Sequence, residues 1–341
     1  MANFYWKENW DRSYRITIGV REATELPEEI EAEVKAAGIL ARPVLDSDYT
    51  TTASNARIIS NLVSDGYDPR GFTFTFDTNQ VASKTGSKGE NSFLELYNIN
   101  KDLADVLTQE KCIVQIECGY DQQVAMTYSG DVIHVTMSRS GADIIHRVKL
   151  GAMALPSRDE QMSVHYDETL SDRDIIIDMV GRFSGIALGT YGLEEPSNHY
   201  RTGGNTFVGK LVTNYDKMMA KYNLQYAVIN GKMVIIPYRF RGNDWDIFYN
   251  TNYNLPEDSI KSITPVFDTK SGSSNAPQTK NKKLQISTFF LPIEIGQMVT
   301  IPSSSEEVIG QYAGTYIVKG RRIVLNSTSG SWDTTVTVEE V

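Results

Sequence analysis

Long apolar runs are absent from this sequence of 341 residues. No stretch approaches the roughly 20 consecutive apolar residues that a membrane-spanning helix requires, so no membrane segment is predicted. Residues 1–15 mix aromatic and charged side chains and lack the apolar core of a secretory signal peptide. We therefore expect the chain to be made and kept in a cytoplasm, at least at first.

Cysteine is also scarce, since only Cys112 and Cys118 occur. They lie six positions apart on one predicted strand, which separates their α-carbons by roughly 20 Å. A disulfide needs about 4.4–6.8 Å between these atoms. The two cysteines therefore cannot pair within that strand, and they are predicted to be buried free thiols.

An excess of positive charge is lacking as well. The chain has 33 Lys and Arg residues against 43 Asp and Glu, a formal net charge of −10. Nucleic-acid binding depends on clustered cations that neutralise phosphates, so a general nucleic-acid binder is disfavoured. An acidic surface that DNA passes without adhering remains compatible with this charge.

Sequence motifs that carry chemistry are missing too. The turn after the predicted strand 93–97 has no G-x-G-x-x-G, and the chain contains neither G-x-x-x-x-G-K-[ST] nor G-x-S-x-G. No C-x-x-C or H-x-x-x-H pair occurs, and the histidines are widely spaced: His134, His146, His165 and His199. His199, in a loop with two glutamates, is the best single metal candidate, but no ligand set accompanies it.

Paired carboxylates fall mainly at predicted helix starts and chain ends, where solvated surface is the preferred interpretation. These pairs are Asp172/Asp174, Glu194/Glu195 and Glu339/Glu340. We therefore predict no catalytic, cofactor-binding or metal-binding residues, and a protein that is not an enzyme.

Short segments of alternating apolar and polar residues are abundant, and this pattern is typical of β-strands. In the first part of the chain they cover residues 11–21, 71–77, 93–97, 112–120, 123–128, 133–138 and 142–150. Residues 129–131 are predicted to form a turn that pairs the two strands on either side of it. Residues 27–37 have a helical pattern, with Pro27 at the first turn and Gly38 as the stop.

A short helical stretch lies between two of these strands. Asn100 suits the N-cap of this helix, and Asp102 suits the helix dipole in the first turn. Leu103, Val106 and Leu107 form a single apolar stripe. We interpret the stretch as a structural helix that docks on a sheet, not as the crossover of a nucleotide site.

A change in composition at residues 155–160 indicates a domain boundary. Helices are predicted over residues 169–185, with Ser171 as the N-cap, and over residues 209–222. Asn230–Gly231 between two short alternating runs is a strong hairpin signal. This middle part is predicted to be a compact α+β unit.

The pattern becomes β-rich again near residue 255. Strands are predicted at residues 259–267, 284–290, 297–301, 314–325 and 332–338. Residues 270–283 are poor in apolar side chains and rich in Ser, Asn and Lys. The predicted fold class is α+β and β-rich, with segments 1–155, 156–254 and 255–341.

The order of these pieces resembles a known family. The run from Val124 to Gly151 is similar to a strand–turn–strand stretch in the first tube-like domain of tail hub proteins from contractile-tailed bacteriophages. Further similar stretches are residues 171–178, 184–189, 205–221 and 226–237 for the central domain of those hubs, and 255–266, 296–301, 314–324 and 331–338 for their second tube-like domain. The same hub fold occurs in the spike proteins of type VI secretion.

The resemblance implies two tail-tube-like β-barrel domains, residues 1–155 with an N-terminal extension and residues 255–341, which flank the small α+β middle domain. Such hubs are homotrimers that form a pseudo-sixfold ring, join the tail tube to the central spike and line the DNA channel. Because the sequence reaches Val341 without a spike-like repeat, a separate spike subunit is expected.

The implied partners are further copies of this chain, a tail tube protein, a central spike protein and other baseplate proteins, while DNA passes through the lumen without specific binding. The implied location is the virion tail or baseplate, after assembly in the host cytoplasm, and no cofactor is implied. The residues expected to matter are Leu103, Val106 and Leu107 in a barrel-closing helix, and Lys270, Asn275, Lys280 and Trp332 at interfaces.

Two other functions remain open from the sequence. One is a hydrolase of cell-wall or surface glycan that uses a pair of carboxylates. The other is a carbohydrate- or receptor-binding protein at a tail tip, with some of the 18 tyrosines and four tryptophans as stacking surfaces.

Overall fold

The computed structural model describes residues 11–22, 52–63, 66–67, 71–85, 90–154, 160–266, 283–304 and 307–341. Within these ranges the chain is β-rich, with one large sheet and few helices, which confirms the coarse fold class. No helix in the described ranges is long and apolar enough to cross a bilayer. The predicted helix over residues 27–37, and Lys270, Asn275 and Lys280, lie outside the described residues.

The first segment consists of strands and one short helix. In chain order these are β1 (Arg12–Glu22), β2 (Thr52–Ser60), β3 (Leu62–Val63), β4 (Gly66–Tyr67), β5 (Phe74–Val81), β6 (Glu90–Tyr97), α1 (Lys101–Leu107), β7 (Cys112–Tyr120), β8 (Gln123–Ser140) and β9 (Asp143–Gly151). Alternation in β5 buries Phe74 and Phe76, as the sequence predicts. Cys112 and Cys118 are buried free thiols on β7, which confirms that prediction.

Strand β8 differs from its prediction. The sequence indicates a turn at residues 129–131, but the chain continues through them as one strand of 18 residues. The turns that bound β8 lie at residues 121–122 and at Gly141, where φ is positive. Glycine at position 130 is needed for close packing and not for a turn, because a Cβ there would lie 2.4 Å from the hydroxyl oxygen of Tyr128.

The middle segment combines helices with two small sheets. Its elements are β10 (Gln161–Tyr166), α2 (Asp172–Gly181), β11 (Ala187–Tyr191), β12 (Asn205–Lys210), α3 (Leu211–Lys221), β13 (Gln225–Ile229), β14 (Lys232–Ile236) and α4 (Asp244–Tyr249). Ser171 is the N-cap of α2, as predicted, and forms a reciprocal capping box with Asp174. Gly209 and Lys210, which the sequence assigns to a helix, belong to β12 instead, because residues 205–210 pair with β10.

The hairpin of β13 and β14 is buried on both faces. Its turn has positive φ at Asn230 and Gly231, which confirms the hairpin predicted from this dipeptide. Tyr226 and Val228 pack into the core around α2 and α3, whereas Ala227 and Ile229 pack into the core of the third segment. One hairpin therefore contributes alternate side chains to two cores.

The third segment completes the large sheet. Its elements are β15 (Tyr253–Asn254), β16 (Ile260–Pro265), β17 (Lys283–Phe289), β18 (Met298–Ile301), α5 (Glu307–Gly310), β19 (Gly314–Asn326) and β20 (Trp332–Glu340). The first and third segments share one 13-stranded sheet, whose main path is β16-β17-β20-β19-β5-β6-β9-β8-β7-β1-β2. Pairing of β19 with β5 joins the two segments.

We predict that Gly130→Ala destabilises the protein by about 1–3 kcal/mol, because the added methyl group overlaps the ring of Tyr128. Urea unfolding monitored by circular dichroism measures this change. Gly320→Ala is the matched control, since its added Cβ meets neighbours at ordinary contact distances of 3.4 Å or more. Equal stability of the Gly130 variant and the unmodified protein would contradict the packing role.

Candidate assembly surface

Two parts of the large sheet have the same strand connectivity. Strands β5 to β9 lie in the order β5-β6-β9-β8-β7, and strands β16 to β20 lie in the order β16-β17-β20-β19-β18. We call them the first and second sheet units. Each unit has a register shift at the same place, between Val132 and His134 in β8 and between Val318 and Gly320 in β19. Strands β8 and β19 are therefore equivalent.

The two sheet units meet edge to edge. Main-chain pairing runs from Gly320 opposite Val81 to Asn326 opposite Thr75. Across this joint the guanidinium of Arg322 donates to both carboxylate oxygens of Asp77, at 3.0 and 2.7 Å. Both side chains are about half exposed, so the ion pair is expected to contribute only about 0–1 kcal/mol.

Arg321, the neighbour of Arg322, is buried where several elements meet. Its Nε donates to the side-chain oxygen of Gln80 at 2.8 Å, and its two terminal nitrogens donate to the carbonyl oxygens of Thr127 at 3.0 Å and Ile293 at 3.3 Å. Burial lowers the pKa of Arg321, but an arginine remains protonated because its ordinary pKa is so high. Arg321 was not predicted from the sequence, although its alternation with Ile323 and Leu325 on β19 was an available signal.

The charges of two carboxyl groups, Glu294 and Glu90, act on Arg321, that of Glu294 more strongly. Glu90 accepts hydrogen bonds from the hydroxyl of Tyr128 at 2.6 Å, the hydroxyl of Ser92 at 2.9 Å and the main-chain N–H of Ala152 at 2.7 Å. Burial raises the pKa of Glu90, while these hydrogen bonds and the charge of Arg321 oppose that shift. The charges of Glu294 and Glu90 thus compensate that of Arg321 inside the protein.

Trp332, predicted as an interface residue, lies in the core at the joint between the units. Its ring packs edge-on against Phe74 and Phe290, with centroid distances of 6.4 and 6.3 Å. The guanidinium of Arg12 lies over the indole and donates to the carbonyl oxygens of Asn326 and Gly330, both at 2.7 Å. Trp332 therefore anchors the start of β20 within the chain.

Helix α1 has the local structure that the sequence predicts. The side-chain oxygen of Asn100 accepts a hydrogen bond from the N–H of Leu103 at 2.9 Å, which confirms the N-cap. Leu103, Val106 and Leu107 are buried in the core of the first segment. Asp102 pairs with Arg57 of β2 on the outer side. The helix thus covers one part of this core.

The second half of β8 is an open strand edge. Strand β7 pairs with β8 only as far as Asp131, so residues 132–140 have β9 on one side and, in the part of the chain that the structure describes, no strand on the other. Met137 is 71% exposed and Ile144 of β9 is 44% exposed. Strand β16 is likewise open, since among the described strands it pairs only with β17.

The predicted metal candidate His199 takes part in a different arrangement. Its ring packs against Tyr222 at 5.3 Å. Tyr222 and Lys221 both donate to the buried carboxylate of Asp172. Burial disfavours ionisation of Asp172, but these hydrogen bonds outweigh it and lower the pKa of the carboxyl group. Among the described residues, no group of three or more potential metal ligands occurs.

Comparison with known proteins gives matches to solved structures alone. No protein-family model and no curated protein sequence matches the chain. A 43 kDa tail protein of prophage MuSo2 from Shewanella oneidensis matches with a TM-score of 0.50 and 10% identity, over 79% of this chain and 94% of that chain. A chain of the half-lidded Francisella PdpA-VgrG complex matches with a TM-score of 0.53 and 9% identity, over 96% of this chain and 58% of that chain.

The chain therefore has the fold of a prophage tail protein and of a component of the PdpA-VgrG complex. The lidded form of that complex agrees, with a TM-score of 0.52 and 10% identity over 98% of this chain and 53% of that chain. The resemblance to tail hub proteins inferred from the sequence is confirmed at the level of the fold.

We predict that Arg321→Ala costs about 3–5 kcal/mol of unfolding free energy, because it leaves Glu294 and Glu90 without a compensating charge and several acceptors without donors. Urea denaturation measures the loss. The control is Arg322→Ala, which removes the exposed ion pair next to it and is expected to cost about 0–1 kcal/mol. Similar losses for both variants would show that burial of Arg321 is not the decisive factor.

Proposed function

We propose that this chain is a structural hub of a bacteriophage tail or of a related injection machine, in which three copies form a ring between the tail tube and the central spike. The observation that carries this proposal is the pair of equivalent sheet units joined edge to edge within one chain. Two units per chain give a trimeric ring of six. The tail-protein fold, matched over nearly the whole chain by the PdpA-VgrG component, supports the same role.

In this proposal residues 1–155 and 255–341 each supply a tail-tube-like barrel, and residues 156–254 form the middle domain. Helix α1 covers and closes one end of the first barrel through its buried apolar face. Because hydrophobic cores cross these boundaries, we expect the three segments to form one rigid block. Trp332 packs in the core of the first segment, and Ile229 packs in the core of the third.

The proposed partners are other copies of this chain, the tail tube protein, the central spike protein and further baseplate proteins, with Lys270, Asn275 and Lys280 as candidate contacts. The formal net charge of −10 suits the wall of a channel that DNA passes without adhering. The proposed location is the tail or baseplate of a virion assembled in the host cytoplasm. A tail-protein fold is consistent with a role that is not enzymatic.

The purified protein is expected to form a particle of three times 38.2 kDa, alone or with its spike partner. Light scattering coupled to size-exclusion chromatography, over a range of protein concentrations, measures this mass. A protein that stays monomeric at high concentration and has no affinity for tube or spike subunits would contradict the hub role.

A second candidate function, glycan or receptor binding at a tail tip, is favoured by an aromatic surface on the middle segment. The rings of Trp245 and Tyr249 are stacked at 5.9 Å, and Phe240 packs against Trp245 at 5.2 Å. Tyr249 and nearby Tyr238 are exposed. Exposed aromatic faces beside polar groups suit ligands that are apolar on one side.

If this surface binds glycan, Tyr249→Ala should abolish binding of bacterial surface polysaccharide, as measured by isothermal titration calorimetry. Tyr200→Ala is the control, because Tyr200 is an exposed tyrosine outside the aromatic surface. Absence of binding by the unmodified protein would exclude this second function.

A further inference from the structure

The joint between the two sheet units uses one edge of each unit and leaves the equivalent edges open. In the joint, the second half of β19 pairs with β5. The equivalent of β19 is β8, and the equivalent of β5 is β16, because both units have the same connectivity. No described strand covers the second half of β8 or the outer side of β16.

The equivalence extends to individual residues. Counting from the register shifts at Val132/His134 and Val318/Gly320 makes Ser138 equivalent to Val324 and Arg139 equivalent to Leu325. Tracing the pairings β5–β6, β6–β9, β16–β17 and β17–β20 makes Thr264 equivalent to Asp77, and Ile263 equivalent to Phe76. The register of the joint therefore transfers to the open edges.

We infer that the second half of β8 pairs antiparallel with β16 of the next copy of this chain, with Ser138 opposite the neighbouring copy's Thr264 and Arg139 opposite its Ile263. This seam repeats between chains the β19–β5 joint that exists within the chain, where Val324 faces Asp77 and Leu325 faces Phe76. The inference rests on the proposed function, since it assigns the contact that builds the hub ring.

Exposed apolar side chains on the β8–β9 hairpin support this seam. Met137 is equivalent to Ile323 of the joint, and Ile144 is equivalent to Trp332. Met137 and Ile144 are 71% and 44% exposed, whereas Ile323 and Trp332 are fully buried. In the joint the neighbouring unit covers these positions, so an added β16 would remove the same apolar surface from water.

Charge distribution also favours a second copy as the partner. Residues 132–150 carry three cationic side chains and one acidic side chain, in a protein whose formal net charge is −10. The hairpin is therefore basic, and the rest of the chain is more acidic than the whole. The rest of another copy carries net negative charge, which favours its approach to this hairpin, and β16 itself carries Lys261 and no acidic side chain.

Pro265 makes the seam slightly weaker than the joint. It is equivalent to Thr78, whose N–H points towards β19 because Phe74 and Ala82, four positions away on either side, bond there. Proline has no N–H, so the seam lacks one of the main-chain bonds of the joint. Proline is tolerated mainly on edge strands. Its presence fits a strand that is an edge in the single chain and is paired only on assembly.

A contact between two different edges is heterologous, so each added copy offers a new open edge until the ring closes. In a closed ring every β8 edge and every β16 edge is covered, and no copy retains an exposed strand edge from this pair. Assembly by this seam is therefore self-limiting once the ring is complete.

Disulfide trapping with the double variant Ser138→Cys/Thr264→Cys tests the seam. Asp77 and Val324 form a non-hydrogen-bonded pair, which places α-carbons about 4.5 Å apart, within the range of a disulfide. Both substituted side chains are exposed. With diamide as the oxidant, the 38.2 kDa band on a non-reducing gel should shift to bands of two and three chains. Cys112 and Cys118 do not interfere, because both are buried and burial raises the pKa of both thiols.

The matched control is Thr136→Cys/Ser262→Cys, on the same two strands and the same faces. In the inferred register these positions are four residues out of step, about 13 Å apart, so this variant should remain a single-chain band. Each of the four single variants should also remain uncrosslinked, because the contact is between different edges.

The outcomes separate the seam from the hub role. Trapping of the Ser138/Thr264 pair without trapping of the control supports the seam. A trimer by light scattering in which the Ser138/Thr264 pair is trapped no faster than the control overturns the seam and leaves the hub role standing. A protein that is monomeric at every concentration and is not trapped overturns both.

Discussion

The buried guanidinium of Arg321 is the interaction on which the arrangement of this protein depends. It lies on β19 and binds Gln80 of β5, Thr127 of β8 and Ile293 in the loop before β18. Gln80 in turn contacts the carbonyl oxygen of Val228 in the middle segment, at 3.5 Å. A buried charge is tolerated only when it is compensated and hydrogen-bonded, so all these elements must keep their positions together.

The hydrophobic cores also cross the boundaries between the three segments. The β13–β14 hairpin contributes to two cores through its two faces, and Trp332 of β20 packs with Phe74 of β5. The segments that differ in sequence composition are therefore held together by side chains of one segment that pack in the core of another. Segments joined in this way keep fixed positions relative to one another. The proposed hub needs this property, because its subunits would hold other subunits in place.

In the proposed hub, the functional surface is made of strand edges instead of a cleft. Main-chain donors and acceptors at an uncovered edge recruit another strand with little dependence on side-chain chemistry. The side chains then decide which strand and which register fit. Among the described strands, the pairing shows two equivalent units with one joint made and the equivalent edges open.

Local signals in the sequence determined local structure. Asn100 and Ser171 cap their helices, and Asn230–Gly231 turns its hairpin, because each acts on main-chain atoms within three residues. The tertiary structure alone decided that residues 129–131 continue a strand, since their partners are on other strands, and that Arg321 is buried. The pairing of β19 with β5 joins residues about 240 positions apart. Alternation predicts that a strand exists, but any strand edge offers the same backbone groups, so the neighbour is chosen only when the cores on both sides pack.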